Sequence, residues 1–206
     1  MDETEIKKII FVHFDFEGDE SIEPDGTINV NGDVDAVQGF PEYGGQIPVK
    51  FGKVTGHFNA AFTSLKTLMN CPGEVGGDLN VSKNSLSDFQ GAPRVVGGKL
   101  IATGMHAKLT SLDGLPSSIG HGVKTAGPVV ELDVHPDLGL LRLITANLGG
   151  TGANKVQLSG PPDLIKGLNN ILPKYIGLES QGKRNAAAIR CSLELIRAGY
   201  KGNARL

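Results

Sequence analysis

Carboxylates and histidines are the residues of this sequence that could do chemistry. Asp33 and Asp35 stand two apart on a predicted strand and share a face, with Asp78 in a related segment. Paired carboxylates of this kind suit a glycosidase or a calcium site. The five histidines are His13, His57, His106, His121 and His135. They lack the H-x-x-x-H spacing of a metal site, and the sequence has no C-x-x-C motif. We therefore predict a solvated strand face, no metal site, no cofactor and no enzyme activity.

A second motif is the tripeptide His135-Pro136-Asp137, which J-domain co-chaperones place between two helices. Here it follows residues 129–134, whose apolar residues alternate as in a strand. The favoured interpretation is a strand end, after which Asp137 caps a helix over residues 138–146.

A third motif is the glycine-rich segment 149–155, which suggests a phosphate loop. It lacks the G-x-x-x-x-G-K-[ST] pattern, and a predicted helix rather than a strand precedes it. A flexible connection is the favoured interpretation.

The strongest charge feature is the C-terminal segment 161–206. It holds eight Lys or Arg against three acids, a charge of +5, so the rest of the chain carries −7. The basic side chains proposed for binding are Lys183, Arg184, Arg190 and Arg197. One interpretation is a patch for nucleic acid or for an acidic protein surface. The other, which is favoured, is a solvated helix face, and sparse aromatic residues argue against stacking on single strands.

The elements that position these residues are repeats. Five segments can be laid over one another with starts 24, 21, 21 and 23 residues apart, and they are residues 30–34, 54–58, 75–79, 96–100 and 119–123. A second half, L-x-x-[LF]-x-x-x-P, recurs at residues 65–72, 86–93 and 109–116. This period is typical of leucine-rich repeats and predicts a short solenoid.

The pattern predicts the same short strand in each repeat, at the segment equivalent to residues 75–79. Val75 and Leu79 point the same way and stack on the equivalent pair of the next unit. Between them on that face stands Gly77, and a glycine column permits close backbone approach. The outward column consists of Asp33, His57, Asp78, Lys99 and Gly122. We predict His57, Asp78 and Lys99 as a binding column on the strand face, and we expect the last unit to degrade into a cap.

The complete prediction is an α+β fold, a short leucine-rich-repeat-like β-solenoid with a C-terminal α-helical segment. Residues 1–24 form a helix or strand cap, residues 25–127 about five repeats, and residues 128–206 a strand plus helical domain. In that last segment we predict helices over residues 138–146, 162–176 and 183–198, with Gly199 ending the third.

Composition limits the class of protein. There are 29 glycines, 5% aromatic residues and no Trp, which favours thin aliphatic layers. A net charge of −2 excludes a generic polyanion binder. The two cysteines, Cys71 and Cys191, suit a reducing compartment. The N-terminus has no apolar signal core, and Ile9 to Val12 is too short to cross a bilayer. We therefore expect an unsecreted protein without membrane contact.

The residues also resemble a known group. The D-G-x-I-x-V-x-G-D-V pattern of residues 25–34 and the L-T-S-L-x-G-x-P pattern of residues 109–116 are similar to leucine-rich-repeat-like proteins of tailed bacteriophages. The resemblance covers residues 25–120 and, more loosely, the C-terminal tail. It implies a solenoid and a phage source but carries no activity. Two departures are Phe62, at the position expected for the repeat asparagine, and a two-residue insertion within residues 104–108.

Three functions follow as expectations. The first is a non-enzymatic interaction module that binds, and in a phage inhibits, a host or defence protein in the host cytoplasm. The second is a structural component of the virion. The third is nucleic-acid binding through the basic helices. The sequence leaves the oligomeric state open.

Overall fold

A computed structural model describes residues 1–105, 109–122, 127–150 and 155–206. The chain begins with helix α1 (Glu3–His13), whose N-terminus is capped by the Asp2 carboxylate, an acceptor for the Glu5 amide at 2.8 Å. Strand β1 (Phe14–Ile22) follows directly and pairs antiparallel with β2 (Ile28–Ala36). The N-terminal segment is therefore both a helix and a strand.

Strand β2 starts two parallel ladders, because its first half pairs with β3 and its second half with β4. The first ladder continues through β3 (Phe51–Val54), β5 (Glu74–Val75), β7 (Val95–Val96), β9 (Ser118–Ile119) and β11 (Asn147–Leu148). The second continues through β4 (Phe58–Asn59), β6 (Leu79–Asn80), β8 (Leu100–Ala102), β10 (Val130–Asp133) and β12 (Val156–Ser159). The fold is a parallel β-solenoid with helices, which confirms the predicted architecture at that level.

The predicted aliphatic column is present in the first ladder. Val54 pairs with Val75, and Val75 pairs with Val96, so the three lie directly above one another. Leu79 occupies the matching place in the second ladder, between Phe58 and Leu100. These side chains are fully buried, and burying each stabilises the fold by roughly 1.5–3 kcal/mol.

The chain bends between the two ladders. Glycines at this bend allow the backbone of one rung to stack directly on the backbone of the rung before it. A Cβ on Gly77 would lie 2.8 Å from the Gly56 carbonyl carbon, and one on Gly76 would lie 2.0 Å from the Thr55 oxygen. Backbone hydrogen bonds fill this space instead, such as Gly77 N–H to the Gly56 oxygen at 2.7 Å. The predicted glycine column thus brings successive backbones into direct contact.

The repeat departs from its period after β9. The next strand of the second ladder is β10, which starts eleven residues after Ile119, whereas Leu100 follows Val96 by four. The strand predicted at 129–134 therefore continues the solenoid, and with β12 the solenoid extends past residue 127, where the repeats were predicted to end. Val123, which the sequence alignment placed in this strand, lies outside the described residues.

A buried asparagine holds the return segment. Asn84 is fully buried; its side-chain oxygen accepts the amides of Thr63 and Leu65, and its nitrogen donates to the Ala60 oxygen at 2.7 Å. The Phe58–Leu79 pairing aligns Asn84 with Thr63, so the assignment of Phe62 to the asparagine position was wrong. Phe62 aligns instead with Lys83, and both have left-handed φ angles, 61° and 56°.

The C-terminal segment adds three helices, α2 (Leu141–Thr145), α3 (Pro162–Ile171) and α4 (Gln181–Arg197). Helix α2 begins later than predicted and Asp137 does not cap it, because Leu140 and Leu141 donate their amides to the Asn203 and Arg205 carbonyls. Helix α3 gives way at Pro173 to a 3-10 turn (Leu172–Lys174). Gly199 follows α4 with φ 92°, as predicted.

The core is aliphatic along the solenoid but aromatic at its N-terminal end. Phe51 lies between Phe14 and Phe58, with ring centroids 5.2 and 5.3 Å apart. The aromatic residues are few in the sequence but are gathered under the first rungs, where the N-terminal hairpin closes the solenoid.

Candidate interaction surfaces

The predicted strand-face column lies at the bend between the two ladders and forms a chain of hydrogen bonds. The Asp33 carboxylate accepts the His57 amide at 2.7 Å, His57 Nδ1 accepts the Asp78 amide at 2.9 Å, and Asp78 accepts the Lys99 amide at 2.7 Å. Each side chain thus takes the N–H of the residue one rung further on. We call Asp33, His57, Asp78 and Lys99 the corner relay.

The corner relay has a backbone cause. Where the chain turns from one ladder to the other, the amide at this position does not reach the carbonyl of the preceding rung, and an unpaired amide is costly. A short acceptor side chain one rung earlier replaces that carbonyl. For His57 this requires the neutral imidazole with its proton on Nε2. Lys99 has no acceptor and pairs with Glu131 at 3.7 Å. The side chains predicted to bind a partner therefore already bind the wall of the solenoid.

Among the basic residues, Arg184 is buried. Its guanidinium donates to the backbone oxygens of Thr145, Leu178 and Glu179 at 2.9–3.1 Å, and to the Gln181 side chain at 2.7 Å. It therefore fastens the start of α4 to the end of α2 and to the preceding loop. It offers no charge at the surface.

The other three predicted basic residues are on the surface. Lys183, Arg190 and Arg197 are exposed on α4, and none of them forms an ion pair with the described residues. The acid on this helix, Glu194, is occupied elsewhere by Lys174 at 2.5 Å and Tyr175 at 2.6 Å. These hydrogen bonds lower the pKa of Glu194, and the Glu194 carboxylate raises the pKa of Tyr175. The positive charges of Lys183, Arg190 and Arg197 are therefore not neutralised by a carboxylate among the described residues.

The sequence interpretation missed an exposed apolar stripe on the same helix. Ile189, Leu193 and Ile196 are 66%, 50% and 43% exposed, and their i, i+4, i+7 spacing places them in one row. An open groove of about 430 Å³ adjoins the row, lined also by Leu141, Ala188 and Leu206. The sequence carried one indication of this stripe, because helix α4 has apolar residues on two faces. In the structure only the face with Cys191 and Leu195 is buried. We call Ile189, Leu193 and Ile196, with Arg190 and Arg197 beside them, the α4 surface.

The His135-Pro136-Asp137 motif forms a tight turn at the strand end. The Asp137 amide donates to His135 Nδ1 at 3.2 Å, and Asn203 donates to the His135 oxygen at 3.0 Å. Arg205 donates to the Asp137 oxygen at 2.5 Å. The turn anchors the C-terminal tail.

The glycine-rich segment begins in the solenoid. The amides of Gly149 and Gly150 donate to the oxygens of Ile119 and Gly120, so these amides are not free to bind a phosphate. Lys155 Nζ donates to the Leu148 oxygen at 2.9 Å. A strand, β11, precedes the segment rather than the predicted helix. Residues 151–154 lie outside the described residues, and so does His106, one of the five histidines considered as metal ligands.

The described residues show no metal site and no reactive thiol. No group of three His, Cys, Asp or Glu side chains in the described ranges could hold a metal ion. Burial raises the pKa of Cys71 and of Cys191 to about 12, so both thiols stay protonated at neutral pH. No helix in the part of the chain that the structure describes is long and apolar enough to cross a membrane.

Comparison with known proteins gives no relative. No family model, no curated protein and no solved structure matches the chain.

Proposed function

We propose that this chain is a non-enzymatic protein-binding module that docks its partner on the α4 surface. The observation that carries the proposal is a row of three exposed aliphatic side chains beside two arginines that form no ion pair with any residue the structure describes. An apolar centre with arginine at its edge is the composition of protein interfaces. The complementary partner is a protein surface with apolar side chains and carboxylates.

The composition of the α4 surface favours a protein over nucleic acid. Ile189, Leu193 and Ile196 have no π face on which a base could stack, and phosphates gain nothing from aliphatic side chains. Nucleic-acid binding through Lys183, Arg190 and Arg197 is the alternative. It predicts retention on heparin that falls steeply with salt and is unaffected by changes at Leu193.

The biological setting is part of the proposal. The repeat signature of residues 25–34 and 109–116 supports a leucine-rich-repeat-like phage protein. In that setting the partner is a host or defence protein, bound in the host cytoplasm. A structural role in the virion is the alternative, and it predicts stoichiometric amounts of the chain in purified particles.

The test is capture of a bacterial protein by the immobilised chain, with identification by mass spectrometry. Leu193→Glu places a charge in the middle of the apolar row and should abolish capture. Met69→Glu is the matched control, because Met69 is 51% exposed but lies in the 65–72 return segment of the solenoid, and it should retain capture. Equal capture by both variants would rule out the α4 surface as the docking site.

A further inference from the structure

Charge is concentrated at the two ends of the chain. Residues 1–25 hold nine carboxylates against two lysines, a formal charge of −7. Residues 26–160 hold ten acids and ten basic residues, and residues 161–206 carry +5. The solenoid is therefore neutral between an acidic N-terminal cap and a basic C-terminal one.

The acidic cap sets like charges opposite one another. In the β1–β2 hairpin Asp15 faces Asp35, and Glu17 faces Asp33. Like charges directly opposite one another destabilise a strand pair. Asp15 and Glu17 are exposed and form no ion pair with the described residues, so the hairpin offers carboxylates to an external cation. The far edge of β1 pairs with no strand among the described residues.

An exposed aromatic side chain stands next to these acids. Phe11 is 88% exposed on the last turn of α1, three residues before β1 begins, and Val12 beside it is 45% exposed. Of the two lysines in this cap, Lys7 is paired with Glu3 at 2.6 Å. The N-terminal cap therefore combines an apolar projection with unpaired carboxylates, which is the composition that the α4 surface requires of its partner.

We infer that the α4 surface binds the N-terminal cap of a second copy of this chain. This assignment rests on the proposed function, because it places a second occupant, another copy of the chain, on the same α4 surface. Phe11 enters the groove beside Leu193, and Asp15 and Glu17 face Arg190 and Arg197. The two contacting surfaces differ, so the contact is heterologous and leaves a free cap at one end and a free α4 surface at the other. Contacts between two caps, or between two α4 surfaces, would bring like charges together.

The test is sedimentation velocity over a concentration series of the full chain. Wild type should exceed the 21.6 kDa of one chain as concentration rises. The association should weaken from about 0.05 M to about 0.5 M NaCl, because screening shortens the reach of the cap charges. Phe11→Glu, which blocks the cap, and Leu193→Glu, which blocks the α4 surface, should each be monomeric. Met69→Glu, in the 65–72 return segment of the solenoid, should associate like wild type.

An equimolar mixture of the two blocked variants decides the geometry. The intact α4 surface of Phe11→Glu binds the intact cap of Leu193→Glu, so the mixture should form a species of twice the monomer mass and nothing larger. A monomeric mixture, a monomeric wild type, or association that persists in Phe11→Glu would each overturn the second-copy assignment. If lysate capture is still lost in Leu193→Glu and kept in Met69→Glu, the proposed function stands without the second-copy assignment. If Leu193→Glu changes neither association nor capture, both are wrong.

Discussion

The wall of the solenoid and the outer face of α4 both carry polar and charged side chains, but these side chains do different work. At the bend of the solenoid, Asp33, His57 and Asp78 accept amides of the next rung. On α4, Arg190 and Arg197 form no ion pair within the described ranges and stand beside exposed aliphatic side chains. The periodic polar column of the solenoid is thus explained by the stacking of the backbone. The α4 surface, which follows the repeats in the chain, has no such structural explanation.

The largest loss of stability is expected for a change at Asn84, which is buried inside the solenoid and tests the structural role of its polar side chains. Asn84→Ala removes both the acceptor of the Thr63 and Leu65 amides and the donor to Ala60, all buried. We expect a loss of roughly 4 kcal/mol, since each buried group left unpaired costs about 1–3 kcal/mol. Urea denaturation measures it. Asn80→Ala, at a half-buried position, should cost only about 1 kcal/mol, and equal losses would contradict the buried network.

The second prediction compares two arginines of α4. Arg184→Ala leaves the carbonyls of Thr145, Leu178 and Glu179 without a donor and should cost roughly 3 kcal/mol, as hydrogen bonds to charged groups do. Arg190→Ala, six residues further on, should stay within about 0.5 kcal/mol of wild type. Thermal and urea unfolding of both variants measure the difference. If Arg190→Ala proved the more damaging, the division between a structural and a surface arginine would be wrong.

The third prediction compares two glycines. Gly77→Ala places a methyl group within 2.8–2.9 Å of the backbone of Gly56 and His57 and should cost about 2 kcal/mol, because stacked backbone cannot give way. Gly182→Ala has open space on α4 and should stabilise the chain by roughly 0.5–1 kcal/mol. Denaturation midpoints measure both. Stabilisation by Gly77→Ala would show that the rungs are not in contact there.

The smallest effect is expected in the corner relay. His57→Ala removes the acceptor of the Asp78 amide and should cost about 1 kcal/mol, the net value of one hydrogen bond. His57→Asn restores an acceptor oxygen and should recover most of that loss. Hydrogen exchange at the Asp78 amide should be faster in the alanine variant than in the asparagine variant. Identical exchange would mean that His57 is a free surface residue, as the sequence first indicated.

The regular part of the fold could be predicted because its period is local. The 21-residue spacing of Val54, Val75 and Val96 states directly which residues stack. Strand β1 was missed because a charged edge strand needs no apolar alternation when it pairs on one side only. Strand β10 was predicted at residues 129–134, but its place in the second ladder was not, because it starts eleven residues after Ile119 and the repeat spacing no longer fixes the register.

The surfaces were harder to predict, since a side chain's role depends on distant contacts. Nothing near Arg184 in the sequence indicates that its guanidinium reaches Thr145, and nothing near His57 indicates that the Asp78 amide lacks a carbonyl. The exposure of Leu193 could not be predicted, because an apolar side chain on a helix fits a buried face as well as an exposed one. The +5 charge of residues 161–206 was visible from the start, but its distribution between buried and exposed arginines was not.

The corner relay also has a direction. Each acceptor side chain bonds only to the backbone amide of the following rung. Either Asp or His can therefore occupy this position in a rung without a change in the neighbouring rungs. Lys99 cannot pass the pattern on, and the first irregular turns come soon after it. The amide of Gly122, one rung beyond Lys99, donates instead to the Gly97 carbonyl at 2.8 Å, so the backbone alone carries the stacking past the end of the relay.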